Sequence, residues 1–219
     1  MQIIFLGMNK AGEEVLNWLR DREDVKIEAV IEEKEGIQKI QEVKPELVVS
    51  SGFEHKVPQE IIDIPEKGII NLHPSFLPFN RGAHPYIWPI IEETPAGVSI
   101  HFMNNKMDEG PVIARKKVEK RPGDDAKDLR NRLMEAQADL FKNNWDEILE
   151  SSGEKQDLDE GNNHYKKDLD EVSQLDLDEE MKLKDAINLL RGLTYGEKKL
   201  AYFEENGERF YLGLDIEKD

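Results

Sequence analysis

Four short apolar runs, residues 2–7, 25–31, 46–51 and 68–72, alternate with helix-like segments across the first third of the chain. Residues 11–22 carry Val15, Leu16 and Leu19 at helical spacing, residues 37–43 form a weaker helical segment, and residues 58–64 a helical turn. Apolar runs this short, rich in valine and isoleucine, predict buried strands. A strand–helix–strand rhythm carries the chain back to the same end each time, so neighbouring strands run parallel. The N-terminal part is therefore expected to be an α/β fold around a parallel sheet.

The rhythm then changes. Residues 84–93 read as helical, and residues 97–103 alternate, with Val98, Ile100 and Phe102 on one face and Ser99 and His101 on the other. Residues 111–119 predict another strand. Residues 124–149 predict one long helix with an acidic first turn, which suits the positive end of the helix dipole, and a stripe of Leu129, Leu133, Ala136, Leu140 and Trp145. A polar stretch, residues 151–163, follows. Residues 178–193 are helical by periodicity, and residues 199–203 and 209–214 bracket Asn206-Gly207, a strong hairpin signal. The expected layout is a main domain over 1–150, a linker over 151–163 and a helix-and-hairpin appendage over 164–219. That appendage is too small to bury a core alone, so it must pack on the main domain or on a second copy.

At 38% hydrophobic the 219-residue chain can build a core. The absence of cysteine removes disulfides, thiolate zinc sites and a cysteine nucleophile, and fits a reducing cytoplasm. The first apolar run is soon broken by Lys10, Glu13 and Glu14, and no segment approaches the ~20 apolar residues of a spanning helix. Neither a signal peptide nor a membrane association is expected. The net charge is −17, and residues 145–219 carry 22 acidic against 10 basic side chains. Phosphate backbones are bound by concentrated Lys and Arg, and no basic stripe exists, so a nucleic-acid partner is disfavoured.

Chemistry-bearing residues gather between positions 71 and 110. Asn71 and His73 lie at i and i+2 at the end of a strand, so their side chains point the same way. Ligands of open α/β sheets bind at the carboxyl ends of the strands. Pro74, Pro78 and Pro85 stiffen the following loop around Arg81-Gly82, and Asp108 follows the next strand across a turn. Asn, His and Asp from two strand ends can share one pocket. The same residue types also cap loops and turns. None of the five histidines has metal-ligand spacing, and the phosphate-loop, nucleophile-elbow and dinucleotide motifs are missing. Gly7-Met8-Asn9-Lys10 is either a phosphate site at a helix N-terminus or a plain strand-to-helix turn.

The ordered set Asn71-Leu72-His73-Pro74-Ser75, Leu77-Pro78, Arg81-Gly82, Gly97-Val98-Ser99-Ile100-His101 and Asp108-Glu109-Gly110 resembles the formyltransferases that use 10-formyltetrahydrofolate, over roughly residues 1–145. The resemblance implies a Rossmann-like sheet and a catalytic triad of Asn71, His73 and Asp108. It also implies a folate held by main-chain groups along Phe53, His55, Lys56 and Val57 and along Met103, Asn104, Asn105 and Lys106, with no metal. Asn9, Lys10 and Arg81 are the candidate substrate-binding residues. In these roles an Asn amide suits an oxyanion, a His near neutral pKa moves the proton, and an Asp orients the imidazole.

Among the branches, methionyl-tRNA formyltransferases carry a basic C-terminal barrel, and glycinamide ribonucleotide transformylases a Gly-rich first loop where this chain has Met8-Asn9-Lys10. Residues 72–83 with Trp88, and in the tail residues 164–169, 190–194 and 201–203, are instead similar to the nucleotide-sugar N-formyltransferases. That implies a dideoxy amino sugar on dTDP or another nucleotide as acceptor, and a homodimer formed through the tail. A folate-dependent hydrolase or a non-catalytic folate-binding relative stands beside this reading.

Overall fold

The computed structural model describes residues 1–217. Six strands form one sheet: β1 (Gln2–Leu6), β2 (Lys26–Ile31), β3 (Leu47–Ser51), β4 (Ile69–His73), β5 (Gly97–Phe102) and β6 (Val112–Lys117), in the order β2-β1-β3-β4-β5-β6. The first four run parallel, as their rhythm requires; β5 and β6 are antiparallel additions. Because side chains alternate across a strand, each central strand feeds two cores. Ile3, Phe5, Val49, Ile70, Leu72, Val98 and Ile100 pack on one face, whereas Ile4, Leu6, Val48 and Ile69 pack on the other.

Helices α1 (Lys10–Arg20) and α5 (Ala126–Asn143) cover the first face, α1 through Val15, Leu16 and Leu19, α5 through Leu129, Leu133 and Phe141. Trp18 meets Phe141 edge-on at 5.9 Å. The short helices α2 (Gln38–Val43) and α3 (Gln59–Ile62) cover the second face with Ile40, Ile61 and Ile62. The long helix expected over 124–149 is two helices, since Asn144 leaves helical geometry at φ −117° and ψ 20° before α6 (Trp145–Glu150). Its side-chain amide donates to Leu140 O at 2.7 Å, capping the broken end. The helix read over 84–93 shrinks to α4 (Trp88–Ile91), because His84 adopts φ 55° and the following Pro85 disfavours a helical predecessor.

Beyond α6, Glu154 exchanges both backbone hydrogen bonds with Val112, and Asn163–His164 pairs with Arg81–Gly82. The polar stretch is therefore laid against the main sheet's loops. Helix α7 (Lys166–Ser173) follows, then α8 (Leu183–Gly192) and a hairpin of β7 (Ala201–Glu205) and β8 (Glu208–Leu212). Asn206 and Gly207 both have positive φ, the turn geometry that Asn-Gly favours. Arg191 on α8 donates to Asp124 O and Arg121 O, each at 2.9 Å, which ties the tail to the start of α5. Among the described residues no helix is long and apolar enough to cross a membrane.

Candidate functional site

The second face of the sheet turns polar at its centre. Ile69 on β4 is followed at two-residue steps by Asn71 and His73, and antiparallel pairing sets Asn71 opposite His101 and His73 opposite Ser99. Ser99 fastens the proline loop: its hydroxyl donates to Ser75 O at 2.8 Å and accepts from Leu77 N–H at 3.1 Å. Asn80, fully buried at φ 54°, is held by Thr94 and Asn162 and turns its carbonyl toward His73, 3.4 Å from Nε2.

Asp108 enters from the loop between β5 and β6 at φ 53°, a left-handed conformation that Asp tolerates. Its carboxylate lies between two imidazoles, Oδ2 at 3.6 Å from His73 Nε2 and Oδ1 at 3.5 Å from His101 Nε2. Gly82 N–H donates to Oδ2 at 2.8 Å. Two glycines permit this closeness. A Cβ on Gly82, at φ 90°, would stand 2.3 Å from His164 O, and one on Gly110 would stand 1.8 Å from Phe102 O.

Burial works against charge here, and geometry decides which charges survive. Desolvation holds His73 below the ordinary histidine value; the Asp108 charge opposes this, and His101 reinforces it. For Asp108, burial alone would raise the pKa, but His73, His101 and the Gly82 N–H together hold it well below the usual carboxylate range. The site at neutral pH is an ionised carboxylate beside a neutral His73.

The structure thus brings Asn71, His73 and Asp108 together, and adds two residues that the sequence reading did not assign. His101 was visible as a polar residue on an alternating strand; its register against Asn71 was not. Gln156, from the stretch read as a linker, is buried and donates through Nε2 to Asp108 O at 2.9 Å and Gly110 O at 2.7 Å.

The other candidates divide. Phe53, Val57 and Met103 pack into the second core, so both segments expected to hold a folate sit on the site's face of the sheet. His55 and Lys56 are exposed and, with Lys34, Glu54, Pro58, Gln59 and Asn105, line a cleft of about 550 Å³ that joins the two segments. Asn104 accepts from Lys106 N–H at 2.9 Å, closing the turn, and the Lys106 ammonium lies 3.4 Å from Glu109. Asn9 and Lys10 stand at the first helix instead. The Asn9 side-chain Oδ1 accepts from Gly12 N–H at 2.8 Å and from the Ser51 hydroxyl at 3.0 Å, the cap of α1, and Lys10 lies 3.7 Å from Glu135. Arg81 is buried at the loop tip, with Nε and Nη1 lacking a hydrogen-bond partner among the described residues.

Residues 3–143 match the family described as formyl transferase, and residues 168–218 match the N-formyltransferase dimerization C-terminal domain. The chain is 31% identical to the dTDP-4-amino-4,6-dideoxyglucose formyltransferase of Mycobacterium tuberculosis, over 80% of this chain and 74% of that enzyme. It is 33% identical to the methionyl-tRNA formyltransferase of Clostridium botulinum, over 83% of this chain but 58% of that enzyme. In structure it is similar to a sugar N-formyltransferase from a Shewanella species, with a TM-score of 0.88, 25% identity, and coverage of 100% of this chain and 99% of that one. A formyltransferase from Anoxybacillus kamchatkensis, solved with UDP-4,6-dideoxy-4-formamido-L-AltNAc and tetrahydrofolate, is similar at a TM-score of 0.66 and 26% identity, over 78% of this chain and 89% of that one.

Proposed function

The chain belongs to the formyl transferase family, and we propose that it moves a formyl group from 10-formyltetrahydrofolate to the amine of a dideoxy amino sugar carried on a nucleotide, dTDP in the first instance. The observation that carries the acceptor class is similarity to a sugar N-formyltransferase over both chains' whole length, tail included. The methionyl-tRNA reading is weaker, because the match to the Clostridium botulinum enzyme covers 58% of it and this chain's tail is acidic where an RNA needs cations.

Formyl transfer to an amine requires a neutral nucleophile, a stabilised tetrahedral oxyanion, and passage of a proton from the attacking nitrogen to the departing one. His73 Nε2 faces two acceptors, Asn80 O and Asp108, so its proton resides there and Nδ1 is the basic nitrogen. Nδ1 takes the proton of the attacking amine, and Asp108 stabilises the imidazolium that results. Asn71 offers an amide N–H to the oxyanion, a contact whose removal costs on the order of a hundredfold in rate. His73 then returns the proton to the departing nitrogen. In this reading the donor's pterin lies against Phe53–Val57 and Met103–Lys106, where backbone amides and carbonyls match its edge. The tail pairs two copies: Leu177, Leu183, Phe210 and Tyr211 are exposed apolar side chains within or beside the matched dimerization segment.

The test is direct. Purified protein, 10-formyltetrahydrofolate and a panel of acceptors (dTDP- and UDP-linked amino sugars, glycinamide ribonucleotide, methionyl-tRNA) are incubated and read by mass for formyl addition. Formylation confined to nucleotide sugars is expected. Preference for the tRNA or the ribonucleotide refutes the acceptor class, and release of formate with no acceptor refutes transfer.

A further inference from the structure

We infer that Asn162, in the stretch expected to be a linker, is a positioning residue for His73: it fixes the peptide whose carbonyl holds the proton on Nε2. Its effect on turnover rests on the formyl-transfer reading of the site; its effect on the imidazole does not. The tip of the proline loop, residues 80–83, carries two backbone groups that touch the site. Asn80 O lies 3.4 Å from His73 Nε2, and Gly82 N–H donates to Asp108 Oδ2 at 2.8 Å. The other three N–H groups of the tip all run to residues 162–164. Asn80 N–H donates to Asn162 Oδ1 at 2.6 Å, Arg81 N–H to Asn162 O at 3.2 Å and Ala83 N–H to His164 O at 2.9 Å. Residues 162–164 are thus a strap across the tip, and Asn162 supplies two of its three acceptors.

The geometry of a peptide unit connects this strap to His73. Asn80 O and Arg81 N–H belong to one planar trans peptide, so they point in opposite directions. Asn162 O accepts on the N–H side while the carbonyl faces the imidazole, and a hydrogen bond at one end of a peptide strengthens the acceptor at the other. Asn80 sits at φ 54°, a left-handed conformation that Asn tolerates but that its surroundings must hold. The Thr94 hydroxyl donates to its Oδ1 at 3.0 Å, and its Nδ2 donates to Pro95 O at 3.3 Å. Its backbone N–H, on a fully buried residue, needs the acceptor that Asn162 Oδ1 provides. The Asn162 amide is itself oriented by unambiguous partners. A peptide N–H only donates and a carboxylate only accepts, so Oδ1 faces Asn80 and Nδ2 donates to Glu92 Oε2 at 2.5 Å. His164 Nε2 lies 3.1 Å from the same amide nitrogen, but neither fixed end depends on where that ring carries its proton. The far end of the strap is anchored by the His164 ring, which stacks on Trp88 at 3.8 Å; the Trp88 indole N–H donates in turn to Ala83 O at 2.9 Å.

Three variants separate this role from simple docking of the strap. Asn162→Ala takes the acceptor from the Asn80 N–H and lets the tip turn. In the full-length protein it is expected to lower kcat roughly tenfold with KM for both substrates within about twofold, because the imidazole is misdirected while the substrates still bind. Glu92→Gln still offers an acceptor to Asn162 Nδ2 and should stay within about twofold of wild type. Asn162→Asp in that Glu92→Gln background keeps an acceptor for the Asn80 N–H and meets a donor at position 92, so it should work within about threefold of wild type. A residue that merely docks the strap gives an Asn162→Ala protein that melts lower but turns over normally while folded, and that result overturns the inference. A paired variant as impaired as Asn162→Ala also overturns it.

Nitrogen-15 spectra of the imidazoles make the test independent of turnover. The expected pattern for the wild-type protein at neutral pH is a protonated Nε2 and a bare Nδ1 on His73. The two His73 signals should draw together in Asn162→Ala, as the other tautomer gains population, and hold in the paired variant. Unmoved His73 signals in a folded Asn162→Ala protein exclude the inference. A wild-type proton on His73 Nδ1 excludes it even if formyl transfer is confirmed and whether or not Asn162→Ala folds. The expected spectra from a protein that formylates no acceptor would leave the strap's hold on His73 standing and remove the proposed function.

Discussion

Gly82 donates its backbone N–H to the Asp108 carboxylate at 2.8 Å, so the tip of the proline loop and the turn after β5 form one unit around the site. The contact exists only because position 82 has no side chain: φ is 90°, and His164 O occupies the space a Cβ would need. Gly82→Ala is expected to destabilise the fold by about 1–3 kcal/mol and to lower kcat more than it raises KM, since Asp108 loses its backbone anchor. Urea melts alongside steady-state kinetics check both. Unchanged kinetics would show that this anchor does not position Asp108.

The neutral state of His73 sets the pH response. Burial depresses its pKa below the ordinary histidine value of 6.5. Activity should therefore be level from about pH 6.5 upward through neutrality and fall on the acid side with an apparent pKa below 6.5. Stability follows the same sign: the unfolded chain binds the histidine proton first, so stability declines as pH falls through 6.5 toward the folded value. Asp108→Asn removes the charge that holds the His73 pKa up, so the acid limb should move further down while kcat drops by roughly a hundredfold. Rate profiles on both proteins decide it; an acid limb that rises in Asp108→Asn would contradict the pairing. His73→Ala and Asn71→Ala should lose activity comparably while melting near wild type.

Gln156 gives a third expectation. Its amide joins Asp108 O and Gly110 O at 2.9 and 2.7 Å from a segment far along the chain. Gln156→Ala leaves two buried carbonyls without this donor and should cost about 1–3 kcal/mol. The loop bearing Asp108 loosens as a result, so turnover should fall several-fold, with faster amide exchange confined to residues near Asp108. Exchange that stays flat in that loop would assign Gln156 a stabilising role only.

The sheet was legible where the physics is local. Each of β1 to β4 is a contiguous apolar run bounded by helical periodicity, and the Asn-Gly hairpin announces its own turn. Asn144 was not legible, because apolar spacing continues through it and only the backbone records the break. Helix α7 is mostly polar and half exposed, so it left no stripe to read. At the site, Asn71, His73 and Asp108 were singled out by the resemblance of their motifs to the formyltransferases, whereas His101 and Gln156 reach them through long-range register and docking that no local pattern encodes. Asn9 and Lys10 were read as acceptor contacts because they follow the first strand; in the structure Asn9 caps α1 and Lys10 pairs with Glu135, and their binding role awaits substitution.

The tail carries the last expectation. Phe210 and Tyr211 stand adjacent on β8, so their side chains leave opposite faces of the hairpin, and both remain substantially exposed. Phe210 stacks on Phe203 at 5.3 Å and Tyr211 leans on Tyr202 at 5.7 Å, which gives each face an aromatic pair with one side uncovered. A two-stranded hairpin has little stability of its own, so an apolar surface of this kind needs a partner. The match of residues 168–218 to a dimerization domain makes a second copy the expected one. The full chain should scatter light as a dimer, and the double substitution Phe210→Glu with Tyr211→Glu should give a monomer that still binds tetrahydrofolate, because the proposed folate segments follow strands of the main sheet. A wild-type monomer at micromolar concentration excludes the tail as a dimer interface. Loss of folate binding together with the dimer would instead place part of the donor site under the tail's control.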